Sequence, residues 1–235
     1  MKQILTINGK PLSDFATYYD GSEWWRIPTK EVENISIPGK SGDLTIDGHR
    51  FSNIPIPFNC YIHKDFPRNF SNLVNYLMSL TGYQRIESSE EPDVFRMGQI
   101  KTEITPDMGQ FNYRGQFSIE IDFAPQKWLK IGENSITVNG SEELVNPTAF
   151  NANPTFYVQG TGTITVNGND TVLANNTSTT VIDCGAQNVY EGTINRNSDI
   201  TLTDNAFPVL LPGTNTVSYS GGITSLVVVP NWWKL

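Results

Sequence analysis

The chain has few of the residue types that hold metal ions: its 235 residues include only two histidines and two cysteines. His49 and His63 are fourteen residues apart, and neither Cys60 nor Cys184 has a neighbouring ligand in the sequence. Because a structural zinc site needs four ligands close together, no metal site is expected. A disulfide between the two cysteines is possible, but two free, buried thiols are the simpler interpretation.

Recognisable catalytic motifs are also absent from the sequence. No Gly-x-Ser-x-Gly elbow occurs, and the glycine-rich residues 39–43 lack the spacing of a phosphate-binding loop. The carboxylates between residues 87 and 93 could form an acid–base pair, but they occupy a polar turn and are predicted to be solvated. We therefore expect no enzyme, no catalytic residue and no cofactor, although a glycosidase would need only two carboxylates that the fold brings together.

Positive charge and long apolar runs are scarce. The formal net charge is −8, which argues against a nucleic-acid-binding surface and against adhesion to anionic lipid. No run of about 20 apolar residues could span a membrane, and the first residues lack the apolar core of a signal peptide. We expect a protein that is made and folded in a cytoplasm and does not enter a membrane.

Charge is divided unevenly along the chain. Residues 1–131 contain 14 Lys/Arg and 16 Asp/Glu, a net of −2, whereas residues 132–235 contain 2 and 8, a net of −6. Such a shift in composition predicts two domains, 1–131 and 132–235. Because Gly, Asn, Thr and Ser are plentiful and helix formers are scarce, both domains are predicted to be mainly β.

One helix is predicted at residues 67–81, followed by a strand at 117–123 that alternates apolar and polar residues. Asp65 is expected to cap the helix N-terminus, and Gly82 is expected to stop it. The spacing of the apolar residues predicts a single buried stripe, made of Phe70, Leu73, Val74, Leu77 and Met78.

Shorter patterns fill in the rest of the chain. Alternating residues predict strands at 3–7, 32–37 and 54–62, and residues 85–105 are predicted to form a hairpin or an extended arm. In the second half, short strands separated by Gly, Pro and Asn predict an antiparallel sandwich. Two copies of ITVNG, at 136–140 and 164–168, each predict a strand that leads into an Asn-Gly turn.

The aromatic residues between positions 18 and 25 have two interpretations. They could stack on a sugar or a base, but such residues more often pack in a core or anchor an interface. The predicted inter-subunit interface combines them with the acidic turn: Tyr18, Tyr19, Trp24, Trp25, Glu87, Glu90, Glu91 and Asp93.

Several short motifs follow one another in a characteristic order. After the helix comes FAPQKW at 123–128, then NPTF at 153–156, IDC at 182–184, FPVLLPGTNTV at 207–217 and a closing Trp232. This order of motifs resembles that of the distal tail protein (Dit) family. Members of this family belong to siphophages, the long-tailed phages, of Gram-positive bacteria. The resemblance covers nearly the whole chain.

The resemblance implies both a fold and a role. Residues 1–131 would be a β-sandwich-like belt domain with one α-helix and an extended arm, and residues 132–235 a galectin-like antiparallel β-sandwich. Six belt domains would form a hexameric ring, a structural hub at the distal end of the phage tail tube in the virion, assembled in the cytoplasm of the bacterial host. The implied partners are the tail tube protein, tail-tip or tail-associated proteins, and receptor-binding or baseplate proteins, with DNA passing through the ring without specific binding.

An alternative function is a glycan-binding module that contacts host cell-wall polysaccharide. Its candidate stacking residues are Tyr190, Trp232 and Trp233. Sugar-binding galectins use His, Asn, Arg and Trp on one sheet, whereas residues 132–235 contain no His and only one Arg, Arg196.

Overall fold

A computed structural model describes residues 2–101, 104–109 and 113–235. Contacts divide the chain into two compact units, Met1–Lys127 together with Leu235, and Trp128–Lys234. This division falls four residues before position 131, where the sequence places the end of the first domain. The domain boundary at 131/132 remains a prediction.

The N-terminal unit is built around one antiparallel sheet, whose strands run in the order β2-β1-β7-β8-β10-β6-β3, with β9 also paired to β10. A separate two-stranded sheet contains β4 and β5. The strands are β1 Leu5–Ile7, β2 Lys10–Pro11, β3 Thr17–Tyr19, β4 Lys30–Ile35, β5 Leu44–Phe51, β6 Ile54–Ile62, β7 Gln84–Ser88, β8 Val94–Ile100, β9 Pro106–Gly109 and β10 Arg114–Leu129.

The two central strands form where their sequence patterns predict them. In β10, Phe117, Ile119, Ile121 and Phe123 are buried, while the residues between them face outward. The β6 strand coincides with the predicted 54–62 and pairs with β10 along its whole length. Burial of alternate residues is the pattern of a sheet with one face on the core and one face in solvent.

Two prolines in β6 show how this strand can tolerate residues that lack a backbone N–H. Pro55 and Pro57 pair with β10 on one side. On the other side β3 pairs only with residues 60–62. The prolines therefore lie in the part of β6 that has β10 as its one strand partner, which agrees with the predicted edge position.

The helix α1, Phe66–Ser79, buries Phe66, Leu73 and Leu77. Two details of its prediction are wrong. Met78 is 53% exposed, because the covered stripe is narrower than the spacing suggests. Asp65 occupies the N-cap position but adopts a left-handed backbone and makes no capping hydrogen bond through its side chain.

The helix also ends earlier than predicted. Its C-cap is Leu80, two residues before Gly82, which nevertheless has the positive φ of 70° that suits a glycine in a bend. The helix therefore ends without the left-handed glycine cap that the sequence suggests.

The acidic segment does not form a protruding arm. Within residues 85–105, β7 and β8 pair as a hairpin inside the main sheet. The β4–β5 hairpin lies outside the main sheet and forms a two-stranded sheet of its own. The prediction of a mainly β unit with one helix is confirmed, and of the two alternatives predicted for residues 85–105 the structure shows the hairpin and not the extended arm.

The C-terminal unit is a sandwich of two antiparallel sheets, with strand orders β11-β21-β13-β16-β17-β18 and β12-β20-β14-β15-β19. Both inner faces contribute to one apolar core, which includes Phe156, Ile164, Val217 and Trp232. The strands are β11 Ile136–Val138, β12 Ser141–Asn146, β13 Thr155–Gln159, β14 Gly162–Val166, β15 Asn169–Leu173, β16 Thr179–Asp183, β17 Asn188–Glu191, β18 Ile194–Asn195, β19 Ile200–Leu202, β20 Gly213–Gly221, β21 Ser225–Val229 and β22 Trp233–Lys234.

The two ITVNG copies make different connections between strands. Asn167 and Gly168 both have positive φ, and they join β14 to β15 in a two-residue hairpin, as expected for this dipeptide. After the first copy, β11 pairs with β21 and β12 pairs with β20. Residues 139–140 therefore carry the chain from one sheet to the other rather than closing a hairpin.

Both cysteines are free and buried, and burial raises the pKa of each thiol. Within the described residues, no three His, Cys, Asp or Glu side chains are grouped so that they could hold a metal ion. No helix in that part of the chain is long and apolar enough to cross a membrane.

Candidate functional site

The β4–β5 hairpin, which we call the ribbon, exposes an apolar face. Ile35 lies opposite Leu44, and Glu33 lies opposite Ile46, so these four side chains share one face of the ribbon. Ile35, Leu44 and Ile46 are 39%, 48% and 47% exposed. Within the described part of the chain this face is therefore left partly uncovered, although β-branched and leucine side chains usually pack against a neighbour.

The opposite face of the ribbon is largely polar and makes its own contacts. Lys30 forms an ion pair with Asp47, and the hydrogen bond from Lys30 lowers the pKa of the Asp47 carboxyl. Thr45 Oγ1 donates to Asn34 Oδ1 at 2.9 Å. Val32 lies on this polar face opposite Asp47. The ribbon thus has one face suited to solvent and one face suited to a partner.

A short 3-10 helix, Glu23–Trp25, precedes the ribbon in the chain. Buried side chains of the N-terminal unit hold this turn in place. Arg96 Nη2 donates to the carbonyl oxygens of Trp24 and Arg26, at 3.1 and 2.9 Å. Arg96 is fully buried, and this burial lowers its pKa to about 10. The guanidinium therefore stays protonated at neutral pH, and each hydrogen bond is charge-assisted.

A second buried contact holds the same turn. Trp24 Nε1 donates to Glu91 Oε2 at 2.9 Å. Lys127 Nζ lies 3.1 Å from that oxygen, and both charged side chains are almost completely buried. Because a buried carboxylate is costly unless paired, this ion pair and hydrogen bond explain how Glu91 is tolerated inside the unit.

Trp25 is the exposed member of this turn. It is 50% exposed, with Lys127 Nζ 4.9 Å from its ring centroid. Its neighbours on both sides, Trp24 and Arg26, are the residues whose carbonyls bind Arg96. The large ring is therefore presented on a fixed backbone, so little conformational entropy would be lost if a partner covered it.

The predicted interface residues do not all lie on the surface. Tyr19, Trp24 and Glu91 are buried in the N-terminal unit, so the prediction that they contact another subunit needs correction. Tyr19 packs edge-on against Phe58, and its hydroxyl is hydrogen-bonded to Ser88. These three side chains form core contacts and are removed from the candidate interface.

The remaining members differ in exposure. Trp25 and Asp93 are exposed, whereas Tyr18, Glu87 and Glu90 are half-buried. Glu87 Oε1 accepts a hydrogen bond from Arg85 Nε at 2.7 Å. The described contacts therefore leave these five residues as predictions, and Trp25 is the one nearest to the ribbon in the sequence.

The predicted glycan-stacking residues do not form one accessible aromatic surface. Trp232 is buried in the sandwich core. Trp233 stacks on Phe150, with ring centroids 4.3 Å apart, and its Nε1 donates to the carbonyl oxygen of Asn151 at 2.8 Å. Tyr190 is half-buried on β17. The prediction of Trp232 as a stacking residue is therefore wrong, because its ring packs in the core.

Two features of the site, Arg96 and the ribbon, are not among the sequence predictions. Alternation in β8 could have revealed Arg96, because Val94 and Gly98 lie two residues to either side of it and all three are buried. The ribbon also carries a signal, since a glycine-rich turn at residues 39–42 separates two alternating segments.

Comparison with solved structures places the whole chain in a known fold. The crystal structure of the Dit (gp 19.1) protein of phage SPP1, described as a paradigm of the hub adsorption apparatus in phages that infect Gram-positive bacteria, matches with a TM-score of 0.76. The match covers 99% of both chains at 15% identity. A chain of the phage p2 baseplate, in its activated conformation with Sr, matches with a TM-score of 0.52 over 97% of both chains at 9% identity.

No protein-family model matches the sequence, and no curated protein matches it either. The predicted resemblance to the Dit family is confirmed at the level of the fold, by structures whose sequence identity to this chain is 15% and 9%.

Proposed function

We propose that this protein is the structural hub of a long-tailed phage, forming a hexameric ring at the distal end of the tail tube. Two findings support the proposal: the fold is shared with a phage hub protein along 99% of the chain, and the ribbon exposes an apolar face. The second finding carries it, because it gives a physical reason for copies of this chain to associate.

An isolated two-stranded hairpin is at best marginally stable in water. Among the described residues, no third strand pairs with the ribbon, which exposes Ile35, Leu44 and Ile46. A neighbouring copy that covered this face would remove apolar area from water and would also limit pairing of the exposed strand edges with unrelated chains. We therefore assign the ribbon to the contact between adjacent subunits.

Trp25 supplies a second element of the proposed contact. Large aromatic side chains on a fixed backbone are common anchors of protein interfaces. Trp25 meets both conditions, since it is half-exposed and its two neighbours are bound by Arg96. We propose that Trp25 packs against the adjacent subunit beside the base of the ribbon, with Asp93 at the rim.

The arrangement is proposed to be head-to-tail and closed. A ribbon that contacts a different surface of the next copy makes a heterologous interface, which either closes into a ring or grows into a fibre. The number six comes from the family resemblance rather than from any residue. In this arrangement residues 1–131 build the ring, and residues 132–235 project from it as a galectin-like sandwich.

The same proposal specifies partners and place. The ring would join the tail tube protein to tail-tip or tail-associated proteins, and through them to receptor-binding or baseplate proteins. It would be assembled in the cytoplasm of the bacterial host and would remain in the virion. Its role would be mechanical, without catalysis, and DNA would pass through it.

Sedimentation velocity over a range of protein concentrations tests the ribbon directly. Ile46→Thr should weaken self-association by at least tenfold, because it places a hydroxyl on the covered face. Val32→Thr is the matched control, since Val32 is also 47% exposed but lies on the opposite face of the same ribbon. Trp25→Ala should weaken association as well, and circular dichroism should show that each variant remains folded.

Equal behaviour of Ile46→Thr and Val32→Thr would remove the ribbon face from the interface. A wild-type chain that stays monomeric up to the highest soluble concentration would contradict self-association driven by this face.

Limited proteolysis examines the proposed boundary separately: the first cut should fall between residues 128 and 134, and a first cut inside α1 would contradict two independent domains.

A further inference from the structure

The outward face of the N-terminal sheet carries a row of four side chains from four adjacent strands. Tyr18 on β3 lies opposite Tyr61 on β6. Tyr61 lies opposite Gln116 on β10, and Gln116 lies opposite Asp107 on β9. Directly paired residues share one face of a sheet, so the row extends across about 14 Å at the usual spacing between strands.

Three members of the row, Tyr61, Gln116 and Asp107, form the floor of a shallow groove. Two adjoining cavities of about 680 and 490 Å³ share Tyr61, Asp107 and Gln116 as lining residues. Both volumes fall in the range of small-ligand sites. The described walls of the groove are the neighbouring residues Lys2, Asp20, Asn59, His63, Arg114 and Ser118.

The aromatic side chains provide an apolar platform in this polar setting. Tyr18 contacts Tyr61 with ring centroids 6.0 Å apart and His63 with centroids 5.4 Å apart. Lys2 Nζ covers the Tyr18 ring from 5.0 Å. Tyr61 is therefore the ring available to a ligand, and Tyr18, itself packed between Lys2 and His63, supports it from one side.

The charges that line the groove cancel. Asp20 and Asp107 contribute two negative charges, and Lys2 and Arg114 contribute two positive charges, in a chain whose formal net charge is −8. A phosphate or another polyanion would meet two carboxylates here. An uncharged ligand rich in hydroxyl groups would meet amides, a hydroxyl and carboxylates that can accept or donate hydrogen bonds.

We infer that this groove is a binding site for neutral saccharides. The apolar C–H face of a sugar ring would pack on Tyr61, and its hydroxyl groups would hydrogen-bond to Gln116 and Asp107 in the same row, and to Asn59 and Ser118 in the next. The site lies in the N-terminal unit, away from the C-terminal residues that the sequence suggests for glycan binding. It does not depend on ring formation.

Saturation-transfer-difference NMR on the full chain tests this inference, with three neutral trisaccharides as probes, built from glucose, N-acetylglucosamine and rhamnose. At least one probe should receive saturation at its ring C–H protons. Tyr61→Ala should reduce the effect at least fivefold, and Gln116→Ala should reduce it with little risk to folding because Gln116 is exposed.

Two further variants separate stacking from general loss of structure. Tyr61→Phe keeps the ring and should retain most of the saturation transfer. Tyr157→Ala removes an exposed tyrosine of the C-terminal unit and should leave the transfer unchanged. Added inorganic phosphate should not displace the saccharide, because the charges on the described lining residues cancel.

Four results would overturn the inference: no saturation of any probe, unchanged saturation in Tyr61→Ala, equal loss in Tyr157→Ala, or displacement by phosphate. Sedimentation of the same variants gives one further reading. If Tyr61→Ala weakens self-association and no probe binds, the groove is a contact surface for a second copy, and saccharide binding is excluded there.

Discussion

Leu77 and Met78 are adjacent in α1 and similar in size, but their surroundings differ completely. Leu77 is fully buried, whereas Met78 is 53% exposed. The sequence places both on the buried stripe, so the pair tests the orientation of the helix as the structure gives it. We expect Leu77→Ala to destabilise the N-terminal unit and Met78→Ala to have almost no effect.

The magnitude follows from burial. Replacing leucine by alanine removes three carbon atoms, and about 0.8 kcal/mol per buried methylene gives ~2.4 kcal/mol for the lost transfer free energy. The unfilled cavity adds to this, so the expected loss for Leu77→Ala is about 2–5 kcal/mol. Met78→Ala should change the free energy of unfolding by less than about 0.5 kcal/mol, the usual range for surface substitutions.

Urea denaturation followed by tryptophan fluorescence measures both variants. Trp24 and Trp25 belong to the N-terminal unit and Trp232 and Trp233 to the C-terminal unit, so the curves should be fitted with two transitions. Only the N-terminal transition should move in Leu77→Ala, with an unchanged slope. Equal losses in the two variants, or a loss below about 0.5 kcal/mol for Leu77→Ala, would refute the orientation of α1.

Three further predictions use other parts of the chain. A Cβ atom on Gly115 would lie 2.4 Å from the Phe66 ring, so Gly115→Ala should lower the free energy of unfolding by about 1–3 kcal/mol in the same urea assay. Hydrogen bonds from Thr177 and Ser178, and then Arg196, lower the pKa of Glu191 to about 2. The depressed pKa stabilises the folded state above pH 4.5, so the melting-temperature difference between wild type and Glu191→Gln should disappear as the pH falls from 4.5 to 2, and a constant difference would contradict this role. In the proposed hexamer, six chains at −8 each would carry −48, so fluorescence anisotropy should detect no salt-sensitive binding to duplex DNA, and tight binding at moderate ionic strength would contradict a passage that DNA crosses without being held.

Local sequence patterns determined the elements whose residues respond mainly to their own neighbours. Alternation fixed β6 and the buried face of β10, and the Asn-Gly dipeptides at 8–9 and 167–168 fixed two tight turns. The helix position also followed from spacing. These features depend on backbone sterics and on the period of a strand or helix, and a few consecutive residues are enough to determine both.

Tertiary structure decided which strands pair with one another and which side chains enclose a given residue. The dipeptide at 139–140 repeats the one at 167–168, but it crosses between sheets because its flanking strands find different partners. The sequence predicts that Glu91 is solvated in a polar turn. In the structure its carboxylate is instead buried against Trp24 and Lys127.

The groove depends on the same non-local pairing. Tyr18, Tyr61, Gln116 and Asp107 are far apart in the sequence and share a row only because four strands pair in one register. A one-residue slip in any pair would turn its side chains to the other face of the sheet. The sequence by itself therefore determined which segments are strands, and long-range pairing decided which of their side chains meet.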